Sequence, residues 1–170
     1  MGTIEPLVEE FLQQKVIAVT GVTRAKEDAA NLAYRNLKQR GYTVYAVNPK
    51  ADTFDGDPCY PSLSALPQVP DGVIIVNRAE VALKLMQECA ALGIKRVWTH
   101  CSLGSNPWFF MKGMAPQLGL ASAEMAQIAR ENGITLIPGA CPNMFISNAD
   151  GAHAFMRGML KATGALKNKA

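Results

Sequence analysis

Reactive side chains are scarce in this chain: only two histidines and four cysteines occur among its 170 residues. Cys59, Cys89, Cys101 and Cys141 form no C-x-x-C pair and show no zinc-ligand spacing, which excludes a disulfide framework and a structural zinc centre. Runs of five or six like charges are missing and the formal net charge is only +3, so bulk nucleic-acid binding is not indicated. A mild positive balance does suit a small ligand carrying several phosphates. No apolar run reaches bilayer length, and the start lacks the basic region and apolar core of a signal peptide, so the expected location is the cytoplasm, with no membrane partner. What is present is ordinary: 49% hydrophobic residues, a normal content for an α/β protein, in a length that fits one compact domain.

Organisation begins at Lys15–Lys50. The apolar, β-branched run Val16-Ile17-Ala18-Val19 reads as a strand buried on both faces. It leads into Thr20-Gly21-Val22-Thr23-Arg24-Ala25-Lys26, a loop of one glycine, two hydroxyls and two cations that suits an anion. Glu27–Arg40 follows as a helix with Ala30, Leu32, Ala33 and Leu37 on one face and Gly41 as its stop. Tyr42–Val47 is a second buried strand, ending in Asn48-Pro49-Lys50. In such a βαβ unit the crossover is right-handed, and the first loop lies at the carboxyl edge of the sheet beside its helix start. Free backbone N–H groups and the helix dipole there stabilise a phosphate, with Thr20, Thr23 and Arg24 as added donors and Gly21 allowing close approach. On that reading a β-branched residue at 21 abolishes binding and leaves the fold intact.

A dinucleotide fingerprint, G-x-G-x-x-G with an acid ending the second strand, is absent. Only Gly21 fits, and Lys50 stands where the acid would be. A cation at that place favours a ribose carrying an extra phosphate, as in NADP or the 3′-phospho-ADP half of coenzyme A, and disfavours NAD.

The rest of the chain repeats the pattern. Thr3, as a cap, and Pro6 open an amphipathic helix within residues 1–14, with Leu7, Val8, Phe11 and Leu12 on a face expected to pack across the sheet edge. Ala51–Pro70 reads as a connection with one short helix near Ser62–Leu66, whose Phe54 and Tyr60 either stack on an adenine or anchor the loop. Gly72–Val76 is the third strand. The helix Ala79–Leu92 follows, with Val81, Leu85, Met86 and Cys89 inward, and then the fourth strand, Arg96–Thr99. Ala121–Asn132 is a helix capped by Ser122, and Ile134–Ile137 is the fifth strand. The expected fold is α/β: a Rossmann-like, doubly wound sheet of about five parallel strands with flanking helices, in a single domain with its core at 15–143. Within the core, 103–120 is an apolar insertion containing Trp108-Phe109-Phe110-Met111 and Met114. Three readings stand for it: a lid, a subunit interface, or a helix packed on its own domain. The tail, 147–170, resembles a helix with Ala152, Phe155, Met156 and Met159 on one side, then a frayed Lys167-Asn168-Lys169. His100 and Cys101 are sequence neighbours on a strand and point to opposite faces, which argues against a dyad. His153 approaches Cys101 or Cys141 only if the tail helix folds over the edge.

Val19-Thr20-Gly21-Val22-Thr23, Val47-Asn48-Pro49-Lys50, Tyr60-Pro61-Ser62-Leu63, Leu92-Gly93-Ile94-Lys95 and Gly139-Ala140-Cys141-Pro142-Asn143, in that order, resemble the CoA-binding domain family. That family includes small stand-alone proteins and the amino-terminal domain of the succinyl-CoA synthetase alpha subunit. The resemblance implies that Thr20, Gly21, Val22, Thr23 and Arg24 wrap the CoA pyrophosphate and that Lys50, after Asn48 and Pro49, faces the 3′-phosphate. It further implies that Asn77 and Arg78 lie beside adenosine and pantetheine, and that His100, Cys101 and Ser102 contact the cofactor.

The expected function is therefore binding of coenzyme A or an acyl-CoA by a binding or regulatory protein, since no complete catalytic constellation appears. The resemblance implies that ligase chemistry would need a second domain with a phosphorylated histidine and a partner subunit, for which this length has no room. The alternatives are an NADP-dependent oxidoreductase and the CoA-binding subunit of a split acyl-CoA ligase. The expected assemblies are a homodimer or a complex with a ligase partner subunit.

Overall fold

The computed structural model describes residues 2–24, 28–106, 119–146 and 151–168. The loop residues Ala25, Lys26 and Glu27, the apolar cluster from Trp108 to Met114, the tail start at Ser147 and Lys169 lie outside the described residues.

Seven strands form one sheet: β1 (Val16–Thr20), β2 (Thr43–Val47), β3 (Thr53–Phe54), β4 (Asp57–Tyr60), β5 (Gly72–Ile75), β6 (Arg96–Thr99) and β7 (Thr135–Ile137). Their order is β3-β4-β2-β1-β5-β6-β7. All pairings are parallel except β3 with β4. The helices are α1 (Glu5–Leu12), α2 (Ala29–Gln39), α3 (Ala79–Ala91), α4 (Ala123–Glu131) and α5 (Gly151–Ala162).

The five expected strands are present, and the count rises to seven because the segment read as a connection contains a hairpin. Asp55 and Gly56, at φ 49° and 85°, make the tight left-handed turn that an Asp-Gly pair favours. Cys59 and Tyr60 then add to β2 opposite Ala46 and Val47.

The central strands β1 and β5 are buried almost throughout because both of their faces are covered, whereas β2, expected as a buried strand, is buried only at Ala46 and Val47, and Thr43, Thr53 and Pro58 are exposed towards that margin of the sheet. Ile17, Val19, Ile74 and Trp98 face one core with Phe11, Tyr34 and Leu37. Ala18, Val73, Ile75 and Val97 face the other with Met86, Cys89, Met125 and Ala129. This is the two-layer consequence of helices crossing over on both sides of a parallel sheet.

Helix α1 packs against β7, the edge strand, as expected, and reaches in over one sheet face, where the Phe11 ring meets Trp98 of β6 edge-on at 5.5 Å. Several helix details differ from expectation. The cap position of α1 is Ile4, without a side-chain bond. Ile4 is fully buried and its N–H donates to Leu166 O at 3.0 Å, so the tail fixes this helix start and Thr3 does not. Helix α2 begins two residues later than Glu27, where the Asp28 carboxylate accepts from Ala30 and Asn31 N–H. In α3 the buried residues are Ala82, Met86 and Cys89, and Val81 is 46% exposed. On α5 the side facing the protein is that of Met156 and Leu160, leaving Phe155 and Met159 outside. Nor is the tail frayed up to Asn168: Lys167 bridges Thr3, and Asn168 N–H donates to Gly2 O at 2.8 Å. No helix among the described residues is long and apolar enough to cross a membrane.

The hairpin is clipped to α2. Tyr34 packs edge-on against the buried Phe54 at 5.1 Å and donates to Asp57 Oδ2 at 2.6 Å. Lys38 pairs with the same carboxylate and Arg35 with Asp55. Phe54 is thus an anchor, and Tyr60 rests against Tyr45. The Lys38 bond, then that of Tyr34, holds the Asp57 carboxyl below its ordinary value. A depressed carboxylate stabilises the fold above the unfolded pKa and loses that contribution as pH falls through the folded one. Asp57→Asn is expected to lose at most about 1 kcal/mol at neutral pH, because the pair is exposed. Its melting temperature is expected to decline less than the wild type's below about pH 4; parallel declines in a thermal-melt series over pH would refute this role.

Candidate functional site

The strand order reverses between β1, whose crossover leads to β2 on one side, and β5 on the other. The loops leaving the carboxyl ends of β1 and β5 therefore diverge and open a crevice. A cleft of about 510 Å³ lies there. Thr20, Gly21, Asn48, Pro49, Lys50, Asn77 and Arg78 all line it, so seven of the residues singled out from sequence converge. Val47 and Val76, Pro61 and Ser62, and Val81, Lys84, Leu85 and Glu88 of α3 complete the wall. Sequence reading missed the α3 contribution, although the i, i+3, i+4, i+7 spacing was visible, because an apolar face at helical period looks the same whether core or cleft covers it.

The loop after β1 is held by its own hydrogen bonds. Thr20, fully buried, donates its hydroxyl to Asn77 Oδ1 at 2.5 Å and lies 3.3 Å from Ile74 O, tying the end of β1 to the connection that leaves β5. Gly21 N–H donates to Val47 O at 3.2 Å. Val22 is buried, and its carbonyl accepts from Asn48 Nδ2 at 2.7 Å. Thr23 is gripped by Asn31, whose Oδ1 accepts the Thr23 N–H at 2.9 Å and whose Nδ2 donates to its carbonyl at 2.7 Å. The amides of Gly21 and Thr23, and those of Ala30 and Asn31 in the first turn of α2, thus already have protein partners, and the Thr20 hydroxyl is engaged as well. Arg24 is exposed.

Gly21 has a second constraint. At φ 88° its Cβ would stand 2.2 Å from the Val76 carbonyl oxygen, so the close approach it permits is to the loop after β5.

Asn48 organises the other wall. Besides holding Val22, its Oδ1 accepts the Lys50 N–H at 2.8 Å, and its own N–H donates to Tyr60 O at 2.9 Å. The turn that presents Lys50 is thereby fixed to β4. Among the described residues none of Lys50, Arg78 and Lys84 forms an ion pair. Three cations without an ion pair among the described residues, beside one lining acid, Glu88, make the cleft positive and suited to an anionic ligand.

His100, Cys101 and Ser102 are not among the residues lining the cleft; they lie along the same sheet edge after β6. Burial lowers the His100 pKa, partly offset by Asp28, with His153 of α5 adding to the depression. Cys101 is fully buried, pairs with Ala140 across an isolated bridge, and has its thiol pKa pushed up by burial. The Cys89 thiol is pushed up to about 12 for the same reason. A second cavity, of about 380 Å³, lies between α4 and β7 with Arg130 as its charged residue.

This geometry coincides with a family profile described as "CoA binding domain", which matches residues 15–146. The chain belongs to that family. It is 31% identical over 137 residues to the ADP-forming acetate–CoA ligase I of Archaeoglobus fulgidus, covering 81% of this chain and 19% of the ligase. To the ADP-forming ligase II of the same organism it is 36% identical over 92 residues, covering 53% and 14%. The chain thus spans less than a fifth of these curated relatives. Among solved structures, a hypothetical protein from Pyrococcus horikoshii superposes with a TM-score of 0.65 at 25% identity, over 81% of this chain and 86% of that one. The dinucleotide-forming acetyl-coenzyme A synthetase 1 of Ca. Korarchaeum cryptofilum superposes with a TM-score of 0.57 at 25% identity, over 72% and 25%. This CoA-binding domain accordingly resembles whole small proteins and also one portion of much longer synthetases.

Proposed function

We propose that the chain binds coenzyme A or an acyl-CoA in the cleft between the β1 and β5 loops and serves as a binding or regulatory protein. The observation that carries this reading is Lys50. It lines the cleft directly after β2, where a protein reading an unphosphorylated ribose would present an acid. In this arrangement Lys50 faces the 3′-phosphate, Arg24 and Gly21 lie along the pyrophosphate, and Asn77 and Arg78 flank the turn towards pantetheine. The acyl end then runs along the sheet edge towards His100, Cys101 and Ser102.

A second reading, the CoA-binding subunit of a split acyl-CoA ligase, is favoured by the two Archaeoglobus ligases, in which the matching portion is under a fifth of the chain. Copurification with a partner chain supports it, and a stable homo-oligomer without one weakens it. An NADP-dependent oxidoreductase is less well supported, since Gly21 is the one glycine in Thr20–Arg24.

Isothermal titration with CoA, dephospho-CoA, NADP and NAD in one buffer tests the proposal. The expected result is binding of CoA, weaker binding of dephospho-CoA and none of NAD. Binding of NADP with no binding of CoA overturns the reading.

A further inference from the structure

We infer that Lys84 is a second cation for the ligand's ribose phosphate, reaching it from the side of the cleft opposite Lys50. The inference rests on the CoA reading above and adds a specificity-determining residue to it. Because β2 and β5 flank β1 on its two sides, Lys50, following β2, and α3, following β5, enter the crevice from opposite directions. Arg78 at the helix start and Val81, Lys84, Leu85 and Glu88 recur at helical spacing, and all line the cleft. A single face of α3 is therefore turned to the ligand space.

Three observations indicate that a ligand uses that face. Val81 stays 46% exposed although it is a β-branched residue on a helix whose next residue, Ala82, is buried. Lys84 has no ion-pair partner among the described residues. Glu88, four residues on, instead accepts the Ser64 N–H at 2.9 Å. Meanwhile Gly21, Thr23, Ala30 and Asn31 all spend their N–H groups within the protein. At those four positions the backbone amides are already engaged, which leaves the cationic side chains of the cleft as donors to a phosphate there. A doubly charged monoester between two lysines is a stronger and more selective partner than one facing a single lysine.

The test is titration of the wild type and Lys84→Met with CoA and with dephospho-CoA. Methionine keeps the stem and removes the charge, and the exposed site should leave the melting temperature unchanged. The variant is expected to bind CoA about fivefold to tenfold more weakly, with dephospho-CoA altered by less than about twofold. Equal loss for both ligands, or no loss for CoA, overturns the role of Lys84 while leaving the CoA reading in place. Failure of the wild type to bind CoA at all overturns that reading and this inference with it.

Discussion

Gly21→Val is expected to destabilise the protein by roughly 4 kcal/mol or more, lowering its melting temperature by roughly 8 to 16 °C, as well as abolishing ligand binding. A left-handed φ of 88° disfavours any residue with a Cβ, and a β-branched one most of all. The added atom would also overlap the Val76 carbonyl oxygen, at 2.2 Å. Relief would have to come from backbone movement between β1 and β5, in the centre of the sheet. Read from sequence, Gly21 was a device for bringing backbone close to phosphate, with the fold unaffected by its loss. The structure adds a protein partner for the same space. Thermal denaturation separates the two roles: a variant that melts like the wild type yet binds no CoA would return Gly21 to a purely ligand-facing role.

Lys50→Ala should weaken CoA by roughly 10- to 150-fold and dephospho-CoA much less, since a bond to a charged group is worth roughly 1.5 to 3 kcal/mol only while the 3′-phosphate is there to accept it. The side chain is exposed and lies outside both cores, so stability should not change. Equal weakening of both ligands by titration would remove Lys50 from the 3′-phosphate and leave it as a general contributor to the cleft's positive field.

How far the sequence revealed this arrangement depended on which physical signal each part carries. The β1–α2–β2 unit was legible because β1 is a continuous apolar run buried on both faces and Ala30, Ala33 and Leu37 recur at helical spacing before the stop at Gly41, although that reading starts the helix at Glu27 and passes over the cap at Asp28. Asn48, Pro49 and Lys50 could be placed on the ligand edge because topology alone decides where a loop after a parallel strand goes. The β3–β4 hairpin was harder to see. Its strands are two and four residues long, too short for an alternation to register, and Pro58 speaks against a strand unless its missing N–H falls at a sheet margin. The Asp55-Gly56 pair was the available clue. Apolar periodicity also could not say what covers an apolar face. Val81 on α3, and Phe155 and Met159 on α5, share the period of core residues and yet remain exposed. The long-range partners of polar residues were equally hidden: Thr20 meets Asn77 57 positions away, a pairing that exists only once the sheet has formed.

The contact between Gly2 and Asn168, with Thr3 and Lys167 beside it, means that the described chain returns to its own starting point. A globular unit whose entry and exit lie side by side can be spliced into a surface loop of a host protein, because it separates the two cut ends of the host by little more than one strand spacing. The same closure lets the order of segments be rearranged around the ring, with a short linker joining 168 to 2 and a new opening at a surface turn such as Asp55-Gly56. The pairings of β1 with β2 and with β5, which hold the cleft, would be kept in either operation.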